Sequence, residues 1–202
     1  MIISTKYRRR LVVMVKEPRA GRVKTRLGQS IGMTAAAWWF RHQSKQLLRR
    51  ISDPRWELIL SISPDSEVIK SNLWPSNIAR IPQGKGCLGD RMKAIFRLLP
   101  PGPVCIIGAD IPKVGVKEIW AAFRSLGSNQ ATFGPAQDGG YWLIGLKRIK
   151  PVSSQIFNSV RWSSKTALKD TVASMPGLKV SYVSTLSDVD PVSYTHLRAH
   201  ET

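Results

Sequence analysis

The sequence predicts an α/β protein whose mainly parallel sheet is covered by helices on both faces. Two observations carry that expectation. Short apolar runs of β-forming residues alternate with amphipathic stretches of helical length. The polar, glycine-bearing motifs fall where those apolar runs end, the edge at which open α/β sheets bind ligands.

Leu11 to Val15 is the first such run, too continuous for a half-exposed strand and suited to a buried parallel one. A segment rich in Gly, Pro and bases follows, from Lys16 to Gly28. Ser30 offers a helix N-cap, and Thr34 to Ile51 reads as a helix with Ala36, Trp39, Phe40, Leu47 and Ile51 on one side, stopped by Pro54. Glu57 to Ile62 predicts the second strand, Pro64-Asp65 opens a short helix ending near Leu73, and Ile78 to Ile81 predicts a short strand. Gly84 to Gly89 is a loop and Asp90 to Leu98 a helix. Val104 to Ile107 is a buried strand ending in Gly108-Ala109-Asp110, and Lys113 to Leu126 a helix. Ala131 to Phe133 and Tyr141 to Leu146 are extended, Thr166 to Ser174 is helical, and Leu178 to Val183 is a last strand before Asp188-Val189-Asp190. No repeat, linker or low-complexity tract interrupts the pattern, so residues 1–191 are expected to form one domain.

Composition narrows the class. With 43% hydrophobic and 22% charged residues among 202, the chain has the make-up of a globular domain. Its apolar runs are too short to span a bilayer, and the start lacks a secretory pattern, so a cytoplasmic protein is expected. Cys87 and Cys105 have neither metal-site nor redox spacing. Val192 to Thr202 resembles the translation of a transposon-type sequencing adapter and is set apart from the fold. That sets aside His196 and His200, leaving His42, placed within a helix as a structural residue. The net charge of +18 is concentrated early: residues 1–50 hold thirteen Lys or Arg against the single acid Glu17. Such a field attracts phosphate on a nucleotide, a nucleic acid or an anionic membrane. A basic nucleic-acid-binding domain is the distant alternative, since no RNP-type or helix-turn-helix pattern stands out.

Four motifs carry possible chemistry. Lys16 to Gly28 is a basic loop between a strand and a helix, where backbone N–H groups and Lys16, Arg19, Arg22, Lys24 and Arg26 can neutralise a pyrophosphate. It lacks P-loop and dinucleotide-fingerprint spacings, and a solvated basic loop would look the same. Asp110, at the end of an apolar strand, suits Mg²⁺ or Mn²⁺, although an Asp just before Pro112 also suits a helix N-cap. Asp138-Gly139-Gly140 is an ordinary turn signal that would also let backbone approach a ligand, with Asp138 binding a sugar hydroxyl, a metal-bound water or the acceptor. Asp188 and Asp190, alternating on an extended segment, face the same way and could share one ion. There is no Ser/His/Asp or Cys/His set and no zinc pattern.

Lys16-Glu17-Pro18 through Leu27-Gly28, Gln83-Gly84-Lys85-Gly86-Cys87-Leu88-Gly89-Asp90-Arg91-Met92 and Gly108-Ala109-Asp110-Ile111-Pro112 resemble motifs of a family of small GT-A-type transferases. Gly134-Pro135 through Tyr141-Trp142-Leu143, Arg161-Trp162-Ser163 and Asp188-Val189-Asp190 continue the match in order, from about Leu11 to Asp190. Members are described as glycosyltransferases associated with radical-SAM proteins, some with arsenosugar biosynthesis. The resemblance implies a three-layer α/β/α GT-A (nucleotide-diphospho-sugar transferase-like) fold with a mainly parallel mixed sheet, shared with nucleotidylyltransferases such as guanylyltransferases. It implies nucleotide binding by Lys16, Arg19, Lys24 and Arg26, with Gln83 and Gly108 beside them. Asp110 would hold Mg²⁺ or Mn²⁺, and Asp188 or Asp190 would be a further ligand. One departure stands out: the family pattern has Asp where this chain has Cys87, a position that either touches the ligand or caps the following helix.

The expected reaction is metal-dependent glycosyl transfer from a nucleotide sugar to a small acceptor, with Asp110 and Asp138 as catalytic residues and Asp138 as acceptor contact or general base. The alternative is nucleotidylyl transfer from an NTP with release of pyrophosphate, which the same loop and metal would serve.

Overall fold

The computed structural model describes residues 7–111 and 113–186. Seven strands form one sheet there: β1 (Arg10–Lys16), β2 (Glu57–Ser63), β3 (Ala79–Pro82), β4 (Val104–Gly108), β5 (Ala131–Pro135), β6 (Tyr141–Leu146) and β7 (Val180–Tyr182). Their spatial order is β3-β2-β1-β4-β6-β5-β7. Every pairing is parallel except those of β6, which runs against both β4 and β5. The six helices of the described residues are α1 (Thr25–Ile31), α2 (Met33–Arg50), α3 (Glu67–Lys70), α4 (Leu88–Leu98), α5 (Val116–Ser125) and α6 (Ala167–Ala173).

Strand alternation divides the core into two layers. Leu11, Val13 and Val15 of β1 join Phe40, Leu47 and Leu48 of α2 and Ile119 and Phe123 of α5. Val12 points the other way, into Met92, Ile95 and Phe96 of α4 with Ile106, Phe133 and Ile144 of the neighbouring strands. Both faces of the central strands are thereby covered, which is why β1 and β4 read as unbroken apolar runs. Leu11, Val12 and Val13 have no exposed surface.

The order of the strands fixes where a crevice opens. From β1 the chain steps outward to β2 and β3, then returns to the other side of β1 as β4. The connections leave the ends of β1 and β4 in opposite directions, opening the sheet edge at that switch point.

Two local readings change. Ser30, expected to cap the long helix, lies inside α1, because residues 25–31 wind a helix of their own. Gly32, at φ 92°, makes the break, and α2 starts at Met33. Asp110 is not a helix cap either: α5 begins at Val116, and the Gly115 N–H donates to Glu118 Oε2 at 2.9 Å. Asp188, Asp190 and residues 192–202 lie outside the described residues. Among the described residues, no helix is long and apolar enough to cross a membrane.

Candidate functional site

A cavity of about 610 Å³ opens at the switch point, a volume in the range of small-molecule sites. Its floor is Met14, Val15 and Lys16 from β1, Ile106 to Asp110 from β4 and the loop after it, and Tyr141 and Trp142 from the start of β6. Because β6 is antiparallel, its first residues meet the last residues of β4. One antiparallel strand therefore brings the Gly134–Leu143 motif to the edge that carries Asp110.

The loop between β1 and α1 forms the basic wall. Glu17 is buried and fastens it: its carboxylate accepts from Ser71 Oγ at 2.9 Å and from Trp74 Nε1 at 3.0 Å. The Glu17 N–H donates to the Ser63 carbonyl at 2.8 Å. With its carboxylate consumed inward, Glu17 leaves the loop's outer surface to cations. Lys16, Arg22 and Lys24 line the cavity. Arg19 is turned aside, its Nη2 donating to the buried Glu67 carboxylate at 2.6 Å, and Arg26 is exposed on α1 outside the lining.

Asp110 faces this wall half-exposed. Lys24 Nζ donates to its Oδ2 at 2.9 Å, and the same ammonium lies 5.9 Å from the centre of the Trp39 ring. Gly108 lies beneath: a Cβ there would stand 3.0 Å from Asp110 Oδ1, so a larger residue would crowd the carboxylate. Among the described residues no three His, Cys, Asp or Glu side chains cluster as a metal cage. A lone carboxylate beside cations still fits Mg²⁺ or Mn²⁺ delivered with phosphates, since such an ion keeps waters and takes few protein ligands.

The segment between β3 and α4 forms the second wall. Gln83 is buried and lines the cavity, but its amide hydrogens are engaged, donating to the carbonyls of Val15 and Ser61 at 2.9 Å each. It ties β1 to β2 beyond their ladder. Its Oε1 accepts from Arg91 Nη1 at 3.4 Å, and Arg91 Nε donates to the Gly86 carbonyl at 3.1 Å, holding the Arg91 guanidinium on the cavity wall. Cys87 is the N-cap residue of α4; its N–H donates to Asp90 Oδ2 at 3.0 Å, and the Cys87 side chain, then this backbone bond, hold the Asp90 carboxyl below its ordinary range.

Behind α4, a Cβ on Gly89 would stand 2.7 Å from the Trp162 ring and 2.8 Å from Phe157, so the Arg161-Trp162-Ser163 motif seats the helix. Arg161 grips Asp170 of α6 through Nε and Nη2, both at 2.9 Å, and holds that carboxyl well below the usual range. The conformation of the third motif is set by glycine. A Cβ on Gly134 would lie 2.2 Å from the Trp142 ring, and Gly139, at φ 85°, would drive one to 2.1 Å from the Lys165 carbonyl. Trp142 Nε1 donates to the Ser184 carbonyl at 3.0 Å, tying the segment after β7 to the cavity floor. The Asp138 carboxylate accepts from the Gly140 N–H at 2.9 Å and is exposed beside the cavity's aromatic end, outside the lining. Burial pushes the Tyr141 hydroxyl well above its ordinary value, opposed by its contact with Thr171.

The cavity thus gathers Lys16, Lys24, Gln83, Gly108 and Asp110, while Arg19, Arg26 and Asp138 stand outside its lining. Arg91, Tyr141 and Trp142 also line it. They were present within the sequence motifs, but only the fold shows which of their neighbours turn inward.

The sequence pattern of a family described as "Uncharacterized protein conserved in bacteria (DUF2064)" matches residues 47–164. No curated protein matches the chain. Among solved structures, a candidate nucleotide-diphospho-sugar transferase from Desulfovibrio desulfuricans G20 is 27% identical, with a TM-score of 0.82 over 97% of this chain and 89% of its own. The 4-diphosphocytidyl-2C-methyl-D-erythritol synthase of Anaerococcus prevotii DSM 20548 is 10% identical, with a TM-score of 0.56 over 92% of this chain and 90% of its own. Rv0371C of Mycobacterium tuberculosis H37Rv, solved in complex with manganese, is 15% identical, with a TM-score of 0.52 over 95% and 97%. At 10% and 15% identity these last two share the fold alone. The architecture is that of the nucleotide-diphospho-sugar transferases, a GT-A-like sheet with one strand reversed.

Proposed function

From a chain that belongs to the DUF2064 family and has this fold, we propose a transferase that takes a group from a nucleotide-activated donor. The group we propose is a sugar, moved from a nucleotide sugar to a small acceptor. One observation carries the reading: Lys16, Arg22 and Lys24 line one cavity with Asp110 at the sheet's switch point, and Lys24 pairs with the Asp110 carboxylate at 2.9 Å. Cations gathered about a carboxylate suit a ligand that brings both phosphate and a divalent ion.

In this proposal Lys16, Arg22 and Lys24 bind the diphosphate and neutralise it as it leaves, while Arg19 and Arg26 add to the field outside the cavity. Asp110 holds Mg²⁺ or Mn²⁺, which when bound supplies Lewis-acid stabilisation of the leaving diphosphate, with Asp188 or Asp190 as a further ligand. Gln83 and Gly108 shape the nucleotide side, the first by fixing Arg91 and the second by leaving room for the Asp110 carboxylate. Asp138, exposed on the turn before β6 and outside the cavity lining, meets the acceptor hydroxyl as contact or base. A cytoplasmic setting, and the association with radical-SAM proteins that the family resemblance implies, belong to the same proposal.

A thermal-shift panel tests it, with UDP- and GDP-sugars and NTPs, each with and without Mn²⁺. A ligand at ~100 times its Kd adds roughly 2.7 kcal/mol, a rise of about 5–10 °C for a chain of this size. Metal-dependent stabilisation by one nucleotide sugar, with nucleoside diphosphate released on turnover, is the expected result. A response to NTPs alone, with pyrophosphate released, would replace sugar transfer by nucleotidylyl transfer. No response to any of them would overturn the reading.

A further inference from the structure

A second cavity, of about 390 Å³, lies at the other end of the sheet. Leu146, the last residue of β6, lines it and pairs with Val104, the first residue of β4. The end of β4 that carries Asp110 is therefore the opposite one, and the two cavities are separate. Leu146, Val152, Ile156 and Met175 make an apolar floor, and Ile149 and Leu178 complete it at the rim, where they are 54% and 38% exposed. Large apolar side chains left open around a concave apolar floor mark a surface that is covered by something.

The charge on this rim has one sign. Lys147, Arg148 and Lys150 line the cavity, and no Asp or Glu does. Lys147 Nζ donates to the Gly127 carbonyl at 2.8 Å, and Arg148 donates to the carbonyls of Leu99 at 2.7 Å and Pro100 at 3.0 Å. Arg10 donates to that same Pro100 carbonyl at 3.2 Å, so two guanidinium groups crowd one neutral acceptor. Arg148 Nε is buried with no partner, and its backbone sits at φ 49°, a conformation uncommon outside glycine. Burial, and then the neighbouring Arg10, push the Arg148 guanidinium below its ordinary pKa. Arg10 has a carboxylate beside it, Glu57 Oε2 at 3.4 Å from its Nε, whereas Arg148 is held only by carbonyls and lacks the counter-charge that buried cations ordinarily have.

We propose that this cavity is a second ligand site, for a small amphipathic anion whose carboxylate or phosphate head meets Arg148 and Lys150 and whose apolar body fills the Leu146–Met175 floor. The two heads share the relevant chemistry, a compact oxyanion, and the site is independent of the nucleotide reading above.

Calorimetry on the whole chain tests it with decanoate and decyl phosphate, against decanol and inorganic phosphate as controls. One or both anionic amphiphiles should bind at one site, and each control at least about tenfold more weakly, since each lacks half of the recognition. Lys150→Glu, an exposed position that leaves the core alone, should weaken binding by about tenfold or more. Val152→Trp should block the cavity, and if that variant does not fold the Lys150 variant still decides. The proposal is overturned if neither anion binds, if decanol or inorganic phosphate binds as tightly, or if Lys150→Glu binds as the parent does.

Discussion

Lys24 Nζ lies 2.9 Å from Asp110 Oδ2, so a cation expected on phosphate and the carboxylate expected on a metal ion neutralise each other. Lys24 holds this position with a left-handed backbone, φ 45°, at the residue just before α1. Both side chains are partly exposed, at 30% and 48%, and exposed pairs contribute only about 0–1 kcal/mol. The pair is therefore easily exchanged. In the proposed reaction a phosphate would draw off Lys24 as a divalent ion takes Asp110, which favours the two arriving together.

Lys24→Ala separates those effects. With its counter-ion gone, Asp110 should take Mn²⁺ alone several-fold more tightly, up to about fivefold for ~1 kcal/mol. Nucleotide binding should weaken in the same variant because a phosphate cation is lost. Manganese titration by electron paramagnetic resonance, with and without nucleotide, reads both. Weaker manganese binding in the variant would show that Lys24 does not compete for Asp110.

Asp110→Ala should abolish transfer while unfolding stability stays within about 1 kcal/mol of the parent, since the residue is exposed and its ion pair is weak. Turnover together with urea melts checks this. An active variant would remove Asp110 from the metal assignment.

Gln83 should behave in the opposite way. Its amide supplies the hydrogen bonds to the Val15 and Ser61 carbonyls. Gln83→Leu leaves two buried acceptors short of a donor, at a cost of about 1–3 kcal/mol. It also frees Arg91 from its Oε1 contact. Urea denaturation should show the loss, and nucleotide affinity should fall in step as Arg91 loosens.

The contrast between these residues shows what the sequence could disclose. The strand runs were legible because both faces of β1 and β4 are covered, which leaves no polar alternation to confuse them. The place of Asp110 on the cavity was legible because a carboxylate ending an apolar strand serves no packing purpose. Arg19 and Arg22 were indistinguishable in a run of bases: what separates them is the buried Glu67 carboxylate, 48 residues away, which takes Arg19 aside. The double role of Gln83 needs the register of β1 against β2, which no local pattern encodes. The α1 boundary is hidden in the sequence because Ser30 looks like a cap, whereas the positive φ of Gly32 sets the break.

Cys87 is a test of the one departure from the family pattern. It occupies the N-cap of α4, and its own N–H is already satisfied by Asp90. An Asp side chain would accept from the first-turn N–H groups and meet the positive end of the helix. Cys87→Asp should therefore raise stability by about 0.5–2 kcal/mol, read as a higher Tm. If the family Asp serves only as a cap, nucleotide and metal affinities should stay unchanged. A gain in manganese affinity without a gain in Tm would assign that position to the ligand instead.

The grip of Arg161 on Asp170 should appear in the acid limb of stability. The bonds from Arg161 hold the Asp170 carboxyl well below its ordinary range, so the folded state binds that proton less readily than the unfolded chain. A depressed carboxyl stabilises the fold fully above the unfolded value, near pH 4, and loses that contribution as pH falls toward the folded value. Asp170→Asn should lower Tm at pH 7, keep the same deficit down to about pH 4, and converge on the parent below it. Because Arg161 adjoins Trp162, which seats Gly89 and α4, nucleotide affinity at pH 7 should fall in the same variant. A deficit that stays constant through the acid range would mean that Asp170 acts through packing rather than through its charge.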